Sequence, residues 1–314
     1  MRKFKLRDQV ARKLRGTENT AFTERSPETA AERKEDRSAP GLRIISRTDI
    51  GLIRKSNQDA LILGASLFGV ADGMGGHNGG ETASAGARDG LLSAAFAAEA
   101  SPQKLEQMIE KVNLELWERQ LQDETLSGMG TTLTVLWPTE EEMLIGHVGD
   151  SRAYLWRGGE LRQVTEDHSM VADMVRRGLL SEEEAACHPM RNYITRAVGT
   201  ENTISPDILS IPREKGDRWL ICSDGLHGTV SRDRLCQLMS AEDLEESADQ
   251  MIREALDRGG RDNITLIIAQ DLTERNAFLP LAGGSAFADD SAENEKTRVP
   301  DLIPPKSSQT EVSE

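Results

Sequence analysis

Residues 143–164 read MLIGHVGDSRAYLWRGGELRQV, three short apolar stretches separated by turn residues. The runs 143–148 (MLIGHV), 152–156 (RAYLW) and 160–164 (ELRQV) have the length and composition of strands. Arg157-Gly158-Gly159-Glu160 makes a tight hairpin turn between the last two. Further strand-like runs stand at 43–48, 60–63, 67–71, 131–137, 217–222 and 263–269. Helical patterns fill 80–98, 102–121, 170–177, 181–186, 232–240 and 243–257, and Ser181 with Glu184 has the spacing of a capping box. Strands come in runs with helices in pairs between them, not in strict βαβ alternation. The spacing therefore predicts an α+β domain of antiparallel sheets with helices on the outer faces. There is no internal repeat.

Outside this region the composition changes. Of 314 residues, 37% are hydrophobic and 29% charged, and the formal net charge is −15. Residues 1–43 hold 12 Lys and Arg against 7 Asp and Glu, whereas 272–314 hold 4 against 8. The middle, with 22 against 38, is strongly acidic. That balance excludes a nucleic-acid groove, which needs a basic stripe to displace counterions, and suits a chain that collects cations. The reading is three-part: a basic, largely disordered extension at 1–42, a domain at 43–271, and a disordered acidic tail at 272–314. Within the extension, 16–40 has too little apolar surface to offset the entropy of ordering. Residues 1–15, with Leu6, Val10 and Leu14 at helical spacing, form either a short basic helix or a frayed tail. Cys187, Cys222 and Cys236 form neither a CxxC pair nor a disulfide framework, so buried or partly buried free thiols in a reducing cytoplasm are expected. No apolar run reaches the roughly 18–20 residues that span a bilayer, and 1–15 lacks the apolar core of a signal peptide.

Three apolar runs finish on an aspartate followed by a small residue: Phe68-Gly-Val-Ala-Asp72-Gly73, Gly146-His-Val-Gly-Asp150-Ser151 and Leu220-Ile-Cys-Ser-Asp224-Gly225. Asp262 precedes the last strand, and Asp59 precedes the strand at 60–63. Any one of these alone reads first as a turn. Repetition of the pattern changes that reading, because strands converging in one sheet deliver their end residues to a common edge. Five acids there repel one another unless a cation sits between them. Oxygen ligands without His or Cys point to Mg²⁺, Mn²⁺ or Ca²⁺ rather than Zn²⁺. The Gly-rich loop at 73–80 matches neither GxxxxGK[ST] nor a strand-anchored GxGxxG, so nucleotide binding has little support.

These residues fall into blocks that resemble the protein phosphatase 2C (PPM) family in its compact bacterial form. The blocks run in order: Thr48-Asp49-Ile50-Gly51, Arg54-Lys55-Ser56-Asn57-Gln58-Asp59-Ala60, Val70-Ala71-Asp72-Gly73-Met74-Gly75-Gly76-His77 and Gly130-Thr131-Thr132. Then come Gly146-His147-Val148-Gly149-Asp150-Ser151-Arg152, Asp167-His168-Ser169, Thr195-Arg196-Ala197-Val198-Gly199, Ser223-Asp224-Gly225-Leu226 and Asp262-Asn263-Ile264-Thr265. The resemblance covers roughly 43–271. It implies a four-layer fold, a β-sandwich of two antiparallel sheets flanked by helix pairs, with a metal centre at one edge.

The resemblance further implies two or three Mn²⁺ or Mg²⁺ ions. Asp72 would bridge two of them, the Gly73 carbonyl and Asp59 would help one, and Asp224 with Asp262 would complete the other. Asp150 with Asp224 would support a third. Arg54 takes the place of the phosphate-binding arginine, and 169–193 that of a flap beside the active site. Many eukaryotic members carry His directly after the Asp-Gly. Met74 stands there in this chain, so the proton for the leaving group comes from His77, three residues on, or from water, with His77 then stabilising the loop. His147 and His168 are expected to orient backbone and loops, and His188 and His227 to lie at the surface or behind the site. The implied activity is hydrolysis of phosphoserine and phosphothreonine in phosphoprotein substrates, opposing a cognate cytoplasmic Ser/Thr kinase, by a monomer. The competing readings are a catalytically weak module that binds phosphoproteins and a regulator acting through its tails.

Overall fold

Among the described residues of the computed structural model, which are 38–39, 41–75, 79–96 and 98–273, the strand runs appear as expected, with two additions. All of them belong to one compact unit; the expected basic segment at 1–15, most of the expected linker at 16–40, His77 and all but the first two residues of the expected tail at 272–314 lie outside the described residues.

In chain order the elements are β1 (Ser38–Ala39), β2 (Leu42–Asp49), β3 (Asp59–Leu63), β4 (Phe68–Met74), α1 (Gly79–Ala95) and α2 (Pro102–Gln122). After them come β5 (Gly130–Thr131), β6 (Leu133–Pro138), β7 (Glu142–Val148), β8 (Arg152–Arg157), β9 (Glu160–Gln163), α3 (Met170–Arg176) and α4 (Glu182–Cys187). β10 (Asp207–Pro212), β11 (Arg218–Cys222), α5 (Asp224–His227), α6 (Arg232–Ser240), α7 (Leu244–Asp257) and β12 (Ile264–Asp271) complete the order. One sheet runs β1-β2-β12-β11-β8-β9 and the other β10-β7-β6-β4-β3, with β5 beside β4. Every named pairing is antiparallel.

Period-2 alternation sorts the side chains into layers. Ile44, Phe68, Val70, Ile145, Leu155, Trp219, Ile221 and Ile267 fill the space between the sheets. Ile62, Val135 and Trp137 face outward against Ala83, Leu91, Ile109 and Leu116 of α1 and α2. Leu220, Leu266 and Ile268 meet Leu235, Ala248 and Met251 of α6 and α7. The layer order is helices, sheet, sheet, helices, which is the α+β arrangement expected. Strands whose two faces are both covered become nearly continuous apolar runs, as in ITLIIA of β12.

Two elements depart from the sequence reading. β10, DILSIP, is not among the expected strand runs, since prolines stand before it and at its end; as the free edge of its sheet it can end on Pro212 without losing a ladder bond. β1, inside the stretch read as linker, pairs Ser38 with Arg43 and Ala39 with Leu42. The capping box forms: Ser181 N–H donates to Glu184 Oε2 at 2.8 Å and Glu184 N–H to Ser181 Oγ at 3.2 Å. Among the described residues no helix is long and apolar enough to cross a membrane.

Candidate metal centre

The five aspartates gather at one end of the sandwich, and both sheets supply them, not one. Register places Asp59, the first residue of β3, directly opposite Asp72 in β4. Asp150 sits in the turn where the chain leaves β7 in one sheet for β8 in the other. Asp224 opens α5 after β11, and Asp262 precedes β12, both in the first sheet. Two stacked sheets bring same-side strand ends together across the sandwich, which a single sheet would spread along an edge.

Small residues let the backbones close in. A Cβ on Gly73 would come within 2.1 Å of the Gly80 carbonyl oxygen, and one on Gly80 within 2.7 Å of the Gly73 oxygen, so β4 and the start of α1 touch through bare backbone. Gly51 has φ +77 and its missing Cβ would lie 2.2 Å from the Asp262 carbonyl.

Hydroxyls and one amide hold the acids in place. Ser223 is fully buried; its Oγ donates to Asp59 Oδ2 at 2.8 Å and accepts from Thr265 N–H at 3.1 Å, stapling the start of β3 to the other sheet. The Asn263 side chain donates from Nδ2 to the Ile50 and Ser56 carbonyls at 2.9 and 3.1 Å, while its Oδ1 accepts from Gln58 N–H at 2.8 Å. Below Asp150, Arg152 grips Asp167 in a two-pronged bond, Nε to Oδ1 at 2.9 Å and Nη2 to Oδ2 at 2.7 Å. Burial works against the Asp167 charge, but that guanidinium holds the carboxyl below its usual range.

Repulsion is written into the acids themselves. Burial and then the neighbouring carboxylates push Asp72 well above the ordinary carboxylate range. Asp224 rises to about 8 through burial and through Asp150 and Asp262. Asp150 rises to about 6 through burial and Asp167. Asp59 also rises to about 6, chiefly by burial, although bonds from Thr265, Ser223 and Asp72 pull the other way. Among the described residues Arg54 bonds one of the five directly, its Nη2 donating to Asp262 Oδ2 at 2.6 Å. Its fork keeps further N–H donors for another oxygen acid.

The residues fit hard divalent cations. Asp59 Oδ1 and Asp224 Oδ1 are buried and accept no hydrogen bond, a costly state that an ion would relieve. All the donors are oxygens, which suits Mg²⁺ and Mn²⁺. Among the described residues no three or more His, Cys, Asp or Glu side chains are gathered closely enough to hold an ion, so the fit rests on the two orphaned oxygens and the oxygen donor set.

Three of the described histidines hold backbone and side chains around this centre, and the fourth, His188, caps α4. His147 bonds Thr134 Oγ1 through Nδ1 and the Glu166 carbonyl through Nε2, both at 2.9 Å. His168 takes the Gly149 N–H on Nδ1 and meets Asp207 through Nε2. His227 Nε2 holds the Asp150 carbonyl at 2.9 Å. Burial pushes His147 down to about 4 and His227 to about 3, so both are neutral imidazoles at neutral pH. Segment 169–193 is pinched at its base by a bridge between Ser169 and Ile194, and α3 and α4 lie within it. Cys222 is buried and Cys236 half-buried, but Cys187, at the end of α4, is exposed, against expectation: a short surface helix has no core to cover it.

Ser223 and Thr265 were not singled out for roles from sequence. The only signal was a small polar residue before Asp224 and a threonine in the last strand, and such residues are common.

Residues 54–271 match the family model described as Protein phosphatase 2C. The chain is 36% identical over 257 residues to the serine/threonine protein phosphatase PstP of Mycobacterium tuberculosis, a match covering 79% of this chain and 49% of that one. It thus spans about half the length of that relative. It is 38% identical over 247 residues to the serine/threonine phosphatase stp of Listeria monocytogenes, covering 73% and 96%. A crystal structure of the PstP catalytic domain in complex with two manganese ions superposes with a TM-score of 0.68 at 35% identity, covering 73% and 97%.

Proposed function

The chain belongs to the protein phosphatase 2C family, and we propose that it is a metal-dependent phosphatase acting on phosphoserine and phosphothreonine in proteins. The observation that carries this reading is the set of five aspartates from two sheets, two of whose buried oxygens accept no hydrogen bond, with Arg54 beside them. The names and manganese of the relatives support it.

Asp59, Asp72, Asp224 and Asp262, with the Gly73 carbonyl, would hold two Mn²⁺ or Mg²⁺ ions, and Asp150 with Asp224 a third. Bound there, the ions supply Lewis acidity that neutralises phosphoryl charge and lowers the pKa of a water toward about 7. The protein's own part is positioning. Arg54 forks onto two phosphate oxygens and turns phosphorus toward the carboxylate cluster. Asn263 fixes the connection that carries Arg54, and Ser223 fixes Asp59 where that connection enters β3, so the acids need not reorganise during the reaction. The oxygen of water bonds to phosphorus, the phosphorus–oxygen bond to the serine or threonine breaks, and the leaving oxygen takes up a proton. Every described histidine near the centre has a ring nitrogen committed to the backbone or to a neighbouring side chain, so the proton comes from His77 or from solvent. The pinched segment 169–193 acts as a flap over protein substrates. The enzyme works as a monomer against a cytoplasmic Ser/Thr kinase.

The test is hydrolysis of p-nitrophenyl phosphate and a phosphothreonine peptide with Mn²⁺ or Mg²⁺, with EDTA, and in Asp224→Asn. Turnover that needs the ion and falls at least about a hundredfold in the variant is expected. A folded, Mn²⁺-binding protein that turns over neither substrate would leave the phosphoprotein-binding module instead.

A further inference from the structure

Loop 50–58 is held unusually tightly for an exposed connection. Asn263 bonds its backbone at Ile50, Ser56 and Gln58, Gly51 N–H donates to Asp49 Oδ1 at 2.7 Å, and Leu52 N–H to the Gly260 carbonyl at 2.7 Å. At its tip stand two consecutive aliphatic residues in water, Leu52 at 64% and Ile53 at 68% exposure. Leu52 lies over Gly260, whose missing Cβ would be 3.0 Å from Leu52 Cγ, and Arg54 follows directly with its guanidinium on Asp262. Two more exposed cations belong to the same pair of loops, Lys55 and Arg261, and neither has a carboxylate partner among the described residues. A local basic and aliphatic rim thus stands beside the acid cluster on a chain of net charge −15.

We propose that Leu52 and Ile53, with Lys55 and Arg261, form a recognition surface for the residues flanking the phosphorylated side chain of a protein substrate. The surface selects an aliphatic residue with an acidic neighbour. This rests on the phosphatase reading and gives it a substrate class. Three features support that occupant. The surface adjoins Arg54, whose guanidinium reaches the carboxylate cluster, so residues flanking a phosphate held there come within its reach. Its cations, without a carboxylate partner among the described residues, complement acidic flanks, which the acidic chain elsewhere would repel. The loop is already rigid, so docking an aliphatic side chain on it loses little conformational freedom. Three other exposed large apolar residues, Leu179, Met190 and Tyr193, belong to a different segment of the chain, 169–193.

The experiment compares kcat/KM for phosphothreonine peptides carrying Leu and Glu, Leu and Lys, or Ser and Ser within two residues of the phosphothreonine, with p-nitrophenyl phosphate as a substrate that has no flanks. The wild-type chain should favour the Leu and Glu peptide over Ser and Ser by about tenfold or more. Leu52→Ser/Ile53→Ser should bring the Leu-dependent part of that ratio close to one, with the loss in KM. Lys55→Glu/Arg261→Glu should reverse the Glu preference and leave the Leu preference in place. A flat peptide profile in the wild type, or a profile unaltered in the Leu52→Ser/Ile53→Ser variant, overturns the proposal while p-nitrophenyl phosphate turnover leaves the phosphatase reading intact. Equal loss on every substrate in that variant also overturns it, since the pair would then only hold the loop. Absence of turnover on all substrates by the wild type sinks both.

Discussion

Ser223→Ala is the most incisive perturbation of the centre, because it changes no charge and exposes nothing. The Ser223 hydroxyl is fully buried, gives its proton to Asp59 Oδ2 at 2.8 Å and receives the Thr265 N–H at 3.1 Å. Alanine leaves that N–H without its side-chain acceptor, a loss of about 1–3 kcal/mol. It also removes a bond to a carboxylate, worth about 1.5–3 kcal/mol when the acid is ionised. In the metal-free chain burial has pushed Asp59 up to about 6, so part of that second contribution is already forfeited. A net destabilisation of about 2–3 kcal/mol is expected, or roughly 4–12 °C in melting temperature for a domain of this size. Mn²⁺ affinity should fall about 10–100-fold, the usual effect of losing a group that orients a ligand. Urea denaturation in EDTA and calorimetric Mn²⁺ titration read the two effects separately. In an Asp59→Asn background the affinity loss should shrink, because the bond it reports is already altered. Stability within about 0.5 kcal/mol of wild type together with unchanged Mn²⁺ affinity would refute the assignment of Ser223 as a staple.

Three further outcomes follow from the same geometry. Asp224 holds its proton to about 8 in the folded metal-free chain, against about 4 unfolded. The fold therefore binds more protons than the unfolded chain from about pH 4 to 8, and its stability must fall as pH rises through that window. Asp224→Asn should raise the metal-free melting temperature at alkaline pH, flatten that slope and remove most of the Mn²⁺-induced rise; an unchanged slope by scanning fluorimetry counts against the buried-acid account. Arg54→Lys should lower kcat/KM on a phosphopeptide by about 10–150-fold, the worth of one charged hydrogen bond, while leaving the melting temperature nearly fixed, since the Asp262 pair is exposed; unaltered kinetics would remove Arg54 from phosphate binding. Arg152→Met should cost about 2–4 kcal/mol in urea denaturation, less than a fully buried pair because Arg152 keeps 29% side-chain exposure; a loss under about 0.5 kcal/mol would show that the Asp167 pair is not a support of the Asp150 turn.

Local pattern alone carried much of this protein. Strand runs such as 143–148 and 263–269, the hairpin at 157–160, the Ser181 capping box and the α+β class are set by side-chain period and turn chemistry within a few residues, and these survive in one dimension. The repeated apolar-run-then-aspartate pattern likewise marked Asp72, Asp150 and Asp224 before any coordinates. Tertiary structure decided how those acids meet. Asp59 faces Asp72 because antiparallel register puts it there, and Ser223 reaches Asp59 across 164 positions of chain. That two sheets, not one, build the centre follows from stacking, and stacking depends on which faces bury apolar surface across the whole domain. The edge strand β10 stayed hidden because its weak local signal is completed only by its partner β7. The rim at Leu52 and Ile53 emerges only when Asn263, more than two hundred residues away, ties down their loop and leaves their side chains in water.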